Sequence, residues 1–272
     1  MSTNNRTGRK RDYVGVLSSV FAIVIGLLVG FVILLICNPS QALPGFVTIL
    51  TGAFTHGLKG VGQVFYYATP IILTGLSVGF AFKTGLFNIG TPGQFIVGAF
   101  AAVYVGIMWT GLGRIQWAVA LLAAILGGAL WGMVPGFLKA CFNVNEVIAS
   151  IMMNYIGMYM VNWIVKSYKP LFNNLRNESR NVAATAQIPK MGMDKLFPES
   201  SVGGGILLAI AAVLIIWVIL NKTTFGYELK AVGFNRDASR YAGINEKRNI
   251  IMSMVIAGAI AGMAGGLLYL AG

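Results

Sequence analysis

Residues 14–37, VGVLSSVFAIVIGLLVGFVILLIC, form an unbroken apolar stretch that is long enough to cross a bilayer as a helix. A hydrocarbon core of roughly 30 Å needs about 17–25 apolar residues in helical form. The apolar core of a signal peptide is shorter, at roughly 7–15 residues. We therefore expect this stretch to remain in the protein as a transmembrane helix. Four basic residues precede it: Arg6, Arg9, Lys10 and Arg11.

Six further stretches have the same character and contain no Asp, Glu, Lys or Arg. They are residues 64–82, 95–113, 115–138, 147–165, 202–220 and 250–271. Continuous apolar runs favour helices, because a membrane barrel is built from short segments of alternating polarity. The predicted fold class is an all-α, polytopic integral membrane protein with about seven spans.

Composition supports this class, since 57% of the 272 residues are hydrophobic and only 10% are charged. A soluble domain carries about 25% charged residues. The net charge of +12 is spread between the spans, so it reports membrane topology and predicts no nucleic-acid partner. Cys37 and Cys141 are far apart and His56 is the single histidine. No metal site and no cofactor are expected.

The distribution of basic residues predicts a cytoplasmic N-terminus. Residues 1–13 then form a basic cytoplasmic segment and 14–272 a transmembrane domain. Residues 166–201 are rich in Asn, Ser and Pro without periodicity, which indicates an irregular external loop. Residues 221–249 would form a cytoplasmic loop.

This cytoplasmic loop contains a short helix signal. Asn235 can cap its first turn, Asp237 complements the positive helix end, and Gly243 can end it in the left-handed conformation. Two helical turns are not stable alone. We expect the helix to be docked on another part of the protein.

Two polar features interrupt the apolar pattern. Residues 83–94 contain three glycines and a proline, so this connection is either a broken helix that lines a cavity or is buried, or a short cytoplasmic turn. On the fifth span, Ser150, Asn154 and Asn162 share an arc of about 120°, beside two tyrosines, Tyr155 and Tyr159. Unpaired amides are costly in hydrocarbon. Hydrogen bonds between helices and the lining of a pathway both remain open for this face.

The last span repeats small residues at four-residue intervals, which predicts close helix packing. One ridge contains Gly258, Gly262 and Gly266, and the next contains Ala257, Ala261 and Gly265. The chain lacks a G-x-x-x-x-G-K-[ST] phosphate loop and any paired nucleophile and base. It is therefore not expected to be an enzyme.

Two motifs resemble those of a known family. Residues 85–94 read GLFNIGTPGQ and look like the G-L-F-N-I-G-x-x-G-Q signature of nucleoside and simple-sugar permeases. Residues 225–244 resemble the cytoplasmic loop through which these permeases contact an ATPase. Over residues 64–272 the chain resembles the permease subunits of bacterial ABC importers of the branched-chain amino acid, ribose and nucleoside type.

The resemblance implies a permease of the bacterial cytoplasmic membrane that moves nucleosides by alternating access. It also implies several partners: an ATP-binding subunit that hydrolyses ATP, a second permease subunit, an external substrate-binding lipoprotein and membrane lipid. A permease for a simple sugar such as ribose, or a secondary carrier or channel without ATP, is the alternative. Members of the family usually continue for a few more helices, so this chain is expected to lack the last ones.

We expect three groups of functional residues. The substrate pathway is assigned to Asn88, Gln94, Ser150, Asn154 and Tyr155. Coupling to the ATPase is assigned to Asn235, Arg236, Asp237, Arg240, Tyr241 and Gly243. Helix packing is assigned to Gly258, Gly262 and Gly266.

Overall fold

The computed structural model describes residues 7–271, with side chains from Gly15 onward, so the basic segment 1–13 lies outside the described side chains. This range holds eleven α-helices: α1 Thr7–Cys37, α2 Pro39–Thr55, α3 Gly57–Phe82, α4 Thr91–Met108, α5 Gln116–Phe142, α6 Glu146–Ser167, α7 Met193–Leu196, α8 Gly205–Lys222, α9 Thr224–Phe234, α10 Arg236–Tyr241 and α11 Glu246–Tyr269. A hairpin pairs β1 Phe172–Asn173 with β2 Glu178–Ser179, and two short 3₁₀ helices span Thr110–Ile115 and Ala184–Ala186. Seven of the helical segments are long and apolar enough to span a bilayer. The prediction of a polytopic helical membrane protein is confirmed.

The chain divides into two compact units, one ending at Gly60 and the other beginning at Val61. In the first unit, the rings of Phe31 on α1 and Phe46 on α2 lie 4.8 Å apart between centroids. Helix α2 was not expected from the sequence. Pro39 lies in its first turn, where a helix tolerates proline because a backbone N–H at this position would have no partner in the helix.

In the second unit, α11 is the central helix. In the apolar stretch of α11, 67% of the residues are buried, whereas in that of α6 only 17% are. The small-residue ridges of α11 allow this: a Cβ on Gly262 would lie 2.8 Å from the Cα of Gly128 on α5. A Cβ on Gly265 would lie 3.0 Å from the backbone nitrogen of Ala99 on α4. The backbones of three helices thus meet at distances that only glycine permits.

Helix boundaries differ from the sequence estimates where capping decides them. Helix α4 begins at Thr91, four residues before the expected start, because Pro92 fits the first turn. Helix α11 begins at Glu246, with the Asn245 side chain accepting a hydrogen bond from the Arg248 N–H at 3.0 Å. Helix α9 was not expected at all.

The irregular segment 168–204 closes one end of the second unit, called here the loop end. The Ala183 N–H donates to the Gly106 carbonyl at 3.0 Å, and the Ile188 N–H donates to the Leu270 carbonyl at 2.9 Å. These bonds attach the segment to the final turns of α4 and α11. The opposite end carries the connection between α3 and α4, together with α9 and α10, and is called the α10 end.

Candidate functional site

The connection between α3 and α4 is a turn buried in protein at the α10 end. Helix α3 ends at Phe82, and Leu86 and Asn88 are buried although they lie outside any helix. Gly85 has a φ of +70°, and a Cβ there would lie 3.3 Å from the carbonyl oxygen of Gly233 on α9. The two sequence motifs are therefore in direct contact, because the turn of the first is covered by a helix of the second.

Asn88 and Gln94 form a reciprocal amide pair inside this turn. The Asn88 Nδ2 donates to the Gln94 Oε1 at 3.0 Å, and the Gln94 Nε2 donates to the Asn88 Oδ1 at 3.1 Å. The Asn88 Oδ1 also accepts from the Gly90 N–H at 3.0 Å. Each side chain is only 1% exposed. The pair fixes the path of the chain between two helices, and its part in a substrate pathway stays a prediction.

The polar face of α6 also binds the turn between α3 and α4. The Asn154 Nδ2 donates to the Ile89 carbonyl at 2.9 Å, and its Oδ1 accepts from the Gly93 N–H at 2.9 Å. The Ser150 hydroxyl is buried beside Gly90 and has no hydrogen-bond partner among the described residues. Two interpretations of this face were open, hydrogen bonding between elements and the lining of a pathway. The hydrogen bonds of Asn154 are of the first kind.

The five residues assigned to a substrate pathway do not all converge. Asn88, Gln94, Ser150 and Asn154 surround the buried turn, as their contacts show. Tyr155 lies on an exposed face of α6, with 54% of its surface accessible. The pathway role of the set stays a prediction.

A cleft at the loop end was not found from the sequence. One part, about 190 Å³, is lined by Phe100, Asn162 and Tyr269. An adjoining part of about 330 Å³ shares Tyr269 and reaches Arg180 and Gln187 of the irregular segment. This loop cleft combines two aromatic rings with amide, guanidinium and carboxylate groups. Only Asn162 carried a signal in the sequence, as a member of the polar face of the fifth span.

The α10 end exposes a surface made by α9 and α10. The Asn235 Oδ1 accepts from the Ala238 N–H at 3.0 Å, and Gly243 has a φ of +81°. Tyr241 and Phe234 are 94% and 91% exposed, and an open groove of about 640 Å³ lies between the two helices. Exposed aromatic side chains of this kind are typical of a protein interface. Arg240 and Asp237 are also exposed, and Arg236 is partly buried.

Helix α9 connects this surface with the core. The Asn249 Nδ2 on α11 donates to the Glu228 Oε2 on α9 at 2.9 Å. Val232 of α9 packs in one apolar cluster with Leu86 of the buried turn and Met254 of α11. A displacement of α9 would therefore press on both the turn and the central helix.

The described residues contain no group of three or more His, Cys, Asp or Glu side chains arranged to hold a metal ion. Pairs of polar residues elsewhere serve helix ends. Glu146, for example, begins α6 next to its cap Asn145 and forms a 2.8 Å ion pair with Lys139 of α5.

Comparison with known proteins identifies the family. The model of the branched-chain amino acid transport system permease component matches residues 60–272. The guanosine ABC transporter permease protein NupP of Bacillus subtilis is 42% identical over 91% of this chain and 70% of its own length. The nucleoside ABC transporter permease protein NupB of Lactococcus lactis is 35% identical over 98% of this chain and 72% of its own.

A more distant relative is the glucose ABC transporter permease protein TsgB13 of Haloferax volcanii, 31% identical over 84% of this chain and 60% of its own length. No solved structure is significantly similar to the chain.

These matches explain the architecture. A permease of an ABC transporter supplies the membrane helices, while a separate subunit hydrolyses ATP and another partner binds substrate. The chain is thus a transport subunit and not an enzyme. With its seven apolar helices and a family match over residues 60–272, it is a multi-pass membrane protein that belongs to the permease-component family of the branched-chain amino acid transport systems.

Proposed function

We propose that this permease is the membrane subunit of an ATP-driven importer of nucleosides. The observation that carries the proposal is the 42% identity to a guanosine permease over 91% of the chain. The charge-free spans favour a neutral substrate, because a desolvated zwitterion would require opposite charges there. A simple sugar is the second candidate, because a glucose permease is also among the relatives.

The loop cleft is the proposed entry site for the nucleoside. Its Phe100 and Tyr269 rings offer apolar faces for stacking with a base, and the Asn162 and Gln187 amides can both donate and accept hydrogen bonds. Amides suit a purine or a ribose, which present donors and acceptors without net charge. The buried turn with Asn88 and Gln94 would lie further along the path, where it controls how α3, α4 and α6 move.

Coupling to ATP hydrolysis is proposed to occur at the α10 end. There the ATPase subunit would dock against Tyr241, Phe234 and Arg240. Nucleotide-dependent movement of α10 would pass to α9 and then to the buried turn through the Gly85 and Gly233 contact. Access would then alternate by rigid-body motion of packed helices, which is a common form of conformational change.

The remaining partners and the orientation are also proposals. Together with a second permease subunit, the chain would form the pore, and a substrate-binding lipoprotein would deliver nucleoside to the loop end. This arrangement requires the loop end to be external and the N-terminus to be cytoplasmic, in the cytoplasmic membrane of a bacterium. The excess of basic residues before the first span supports this orientation.

Uptake of radiolabelled guanosine by cells that carry the complete transporter tests the substrate. Asn162→Ala and Tyr269→Ala should each reduce uptake about five- to tenfold, the usual effect of losing one polar or stacking contact. Tyr67→Ala, on the exposed face of α3, is the matched control and should transport normally. Uptake of glucose or leucine without guanosine would overturn the nucleoside assignment, and normal uptake by both cleft variants would overturn the site.

Copurification of the ATPase subunit tests the coupling surface. Tyr241→Ala and Arg240→Glu should weaken the complex and abolish substrate-stimulated ATP hydrolysis, because exposed aromatic residues at interfaces often dominate binding. Leu175→Ala, which changes an equally exposed residue of the loop end, should have no effect. Unchanged copurification together with unchanged stimulation would exclude α10 as the docking element.

A further inference from the structure

A groove between α3, α8 and α9 has no part in the functions described above. It has a volume of about 310 Å³ and lies at the α10 end. Leu76, Ile216 and Leu220 form its apolar wall, and Lys83 and Lys230 are its charged residues. None of its lining residues, all within the described part of the chain, is acidic. This lysine groove therefore pairs an apolar wall with a positive rim.

One amine of the positive rim is held in place by a neighbouring side chain, and a third lysine lies close to the groove. The Lys230 Nζ donates to the Asn221 Oδ1 at 3.0 Å. The Lys222 amine lies 5.9 Å from the ring centroid of Trp217, which also lines the groove. The carboxylate of Glu228 on α9 is not part of this groove: it lines the separate groove between α9 and α10 and accepts a hydrogen bond from Asn249.

The position along the helices matches the boundary of a bilayer. Lys83 directly follows the end of α3, and Lys230 binds Asn221 in the last turn of α8. Both amines therefore lie where these apolar spans end. Trp217 has the interfacial position that tryptophan favours in membrane proteins. Leu76 lies deeper by nearly two helical turns. The apolar wall is thus at the depth of acyl chains and the amines are at the depth of phosphates.

We propose that the lysine groove binds an anionic phospholipid such as phosphatidylglycerol. The phosphate would contact Lys83 and Lys230, and an acyl chain would lie along Leu76 and Ile216. A zwitterionic lipid presents the same acyl chains, but its own cation would be repelled by the rim. A free phosphate ion would make no use of the apolar wall. Basic pockets between membrane helices are known to hold anionic headgroups.

Native mass spectrometry of the purified transporter complex tests this inference. After delipidation, the complex is titrated separately with phosphatidylglycerol, phosphatidylcholine and inorganic phosphate. Phosphatidylglycerol should bind preferentially, and the double variant Lys83→Gln, Lys230→Gln should bind it about 25-fold more weakly, from about fivefold for each lysine near a lipid headgroup. The double variant Lys166→Gln, Lys169→Gln, at the loop end of α6, is the control and should bind normally.

Rescue separates lost charge from disturbed folding. Lys83→Arg with Lys230→Arg keeps both charges and should restore phosphatidylglycerol binding. The proposal is overturned if both lipids bind equally, if the Gln variant binds as well as the parent, or if the Arg variant does not recover binding. Competition by inorganic phosphate at concentrations equal to the lipid would overturn a lipid site in favour of a simple anion site.

Discussion

Gly262→Ala is the change that best tests the close packing of the core, because it adds one carbon where two helix backbones meet. The new Cβ would lie 2.8 Å from the Gly128 Cα, and closer still to the carbonyl oxygen of Ala124. Both obstacles are backbone atoms of α5. A side chain could rotate away, but a backbone can yield only if α5 and α11 separate.

The expected cost follows from two opposing effects. Alanine gains up to about 1 kcal/mol over glycine in helix propensity. Against this, overpacking of a tight core costs about 1–3 kcal/mol, and sometimes more. Here, separation of the helices also loosens the neighbouring contact between Gly258 and Gly132, where the Cβ of an alanine at 258 would lie 3.1 Å from the Cα of residue 132. We expect a net destabilisation of about 1–2 kcal/mol, which corresponds to a loss of about 2–8 °C in the melting midpoint for a domain of this size.

The assay is the loss of monodisperse protein on heating, followed by size-exclusion chromatography of a fluorescent fusion in detergent. Gly79→Ala on α3 is the matched control, since no atom lies within 4 Å of its added Cβ. The control midpoint should be unchanged or slightly raised. A Gly262→Ala midpoint equal to that of the control would refute the claim that backbone contact holds the core together.

Three further outcomes are expected. Asn154→Ala should lower the same melting midpoint by a few degrees, because the Gly93 N–H and the Ile89 carbonyl, both in part-buried hydrogen bonds, lose their side-chain partner. An unchanged midpoint would contradict the role of Asn154 in holding the turn. Lys139→Met and Glu146→Gln should each lower the midpoint, because each single change leaves a mostly buried charge without its partner. The double variant should lower it by less than the sum of the two single changes, and strict additivity would show that the ion pair is unimportant. With both native cysteines replaced, Leu175→Cys should react with an impermeant maleimide on intact cells and Tyr241→Cys should not, whereas the opposite pattern would invert the topology.

The sequence by itself determined the fold class and much of the local structure. Apolar runs such as residues 14–37 specify spans because a bilayer accepts only helices that satisfy their own backbone hydrogen bonds. The capped helix at Asn235 and its left-handed end at Gly243 follow from local backbone chemistry. The repeated glycines of α11 indicated close packing, since their spacing places them on one helix face. Each of these signals is contained within one turn or one helix.

The tertiary structure alone decided which partners those residues meet. The amides of Asn88, Gln94 and Asn154 require hydrogen-bond partners inside an apolar protein. Their spacing in the sequence does not show that Asn88 and Gln94 bind each other, or that Asn154 binds the turn between α3 and α4. The loop cleft could not be foreseen, because the irregular segment that lines it has no periodicity to orient its side chains. The contact between Gly85 and Gly233 joins residues nearly 150 positions apart. Such pairings depend on how whole helices pack. Helix packing is decided by the fit between surfaces formed from distant parts of the chain, so no short stretch of sequence determines it.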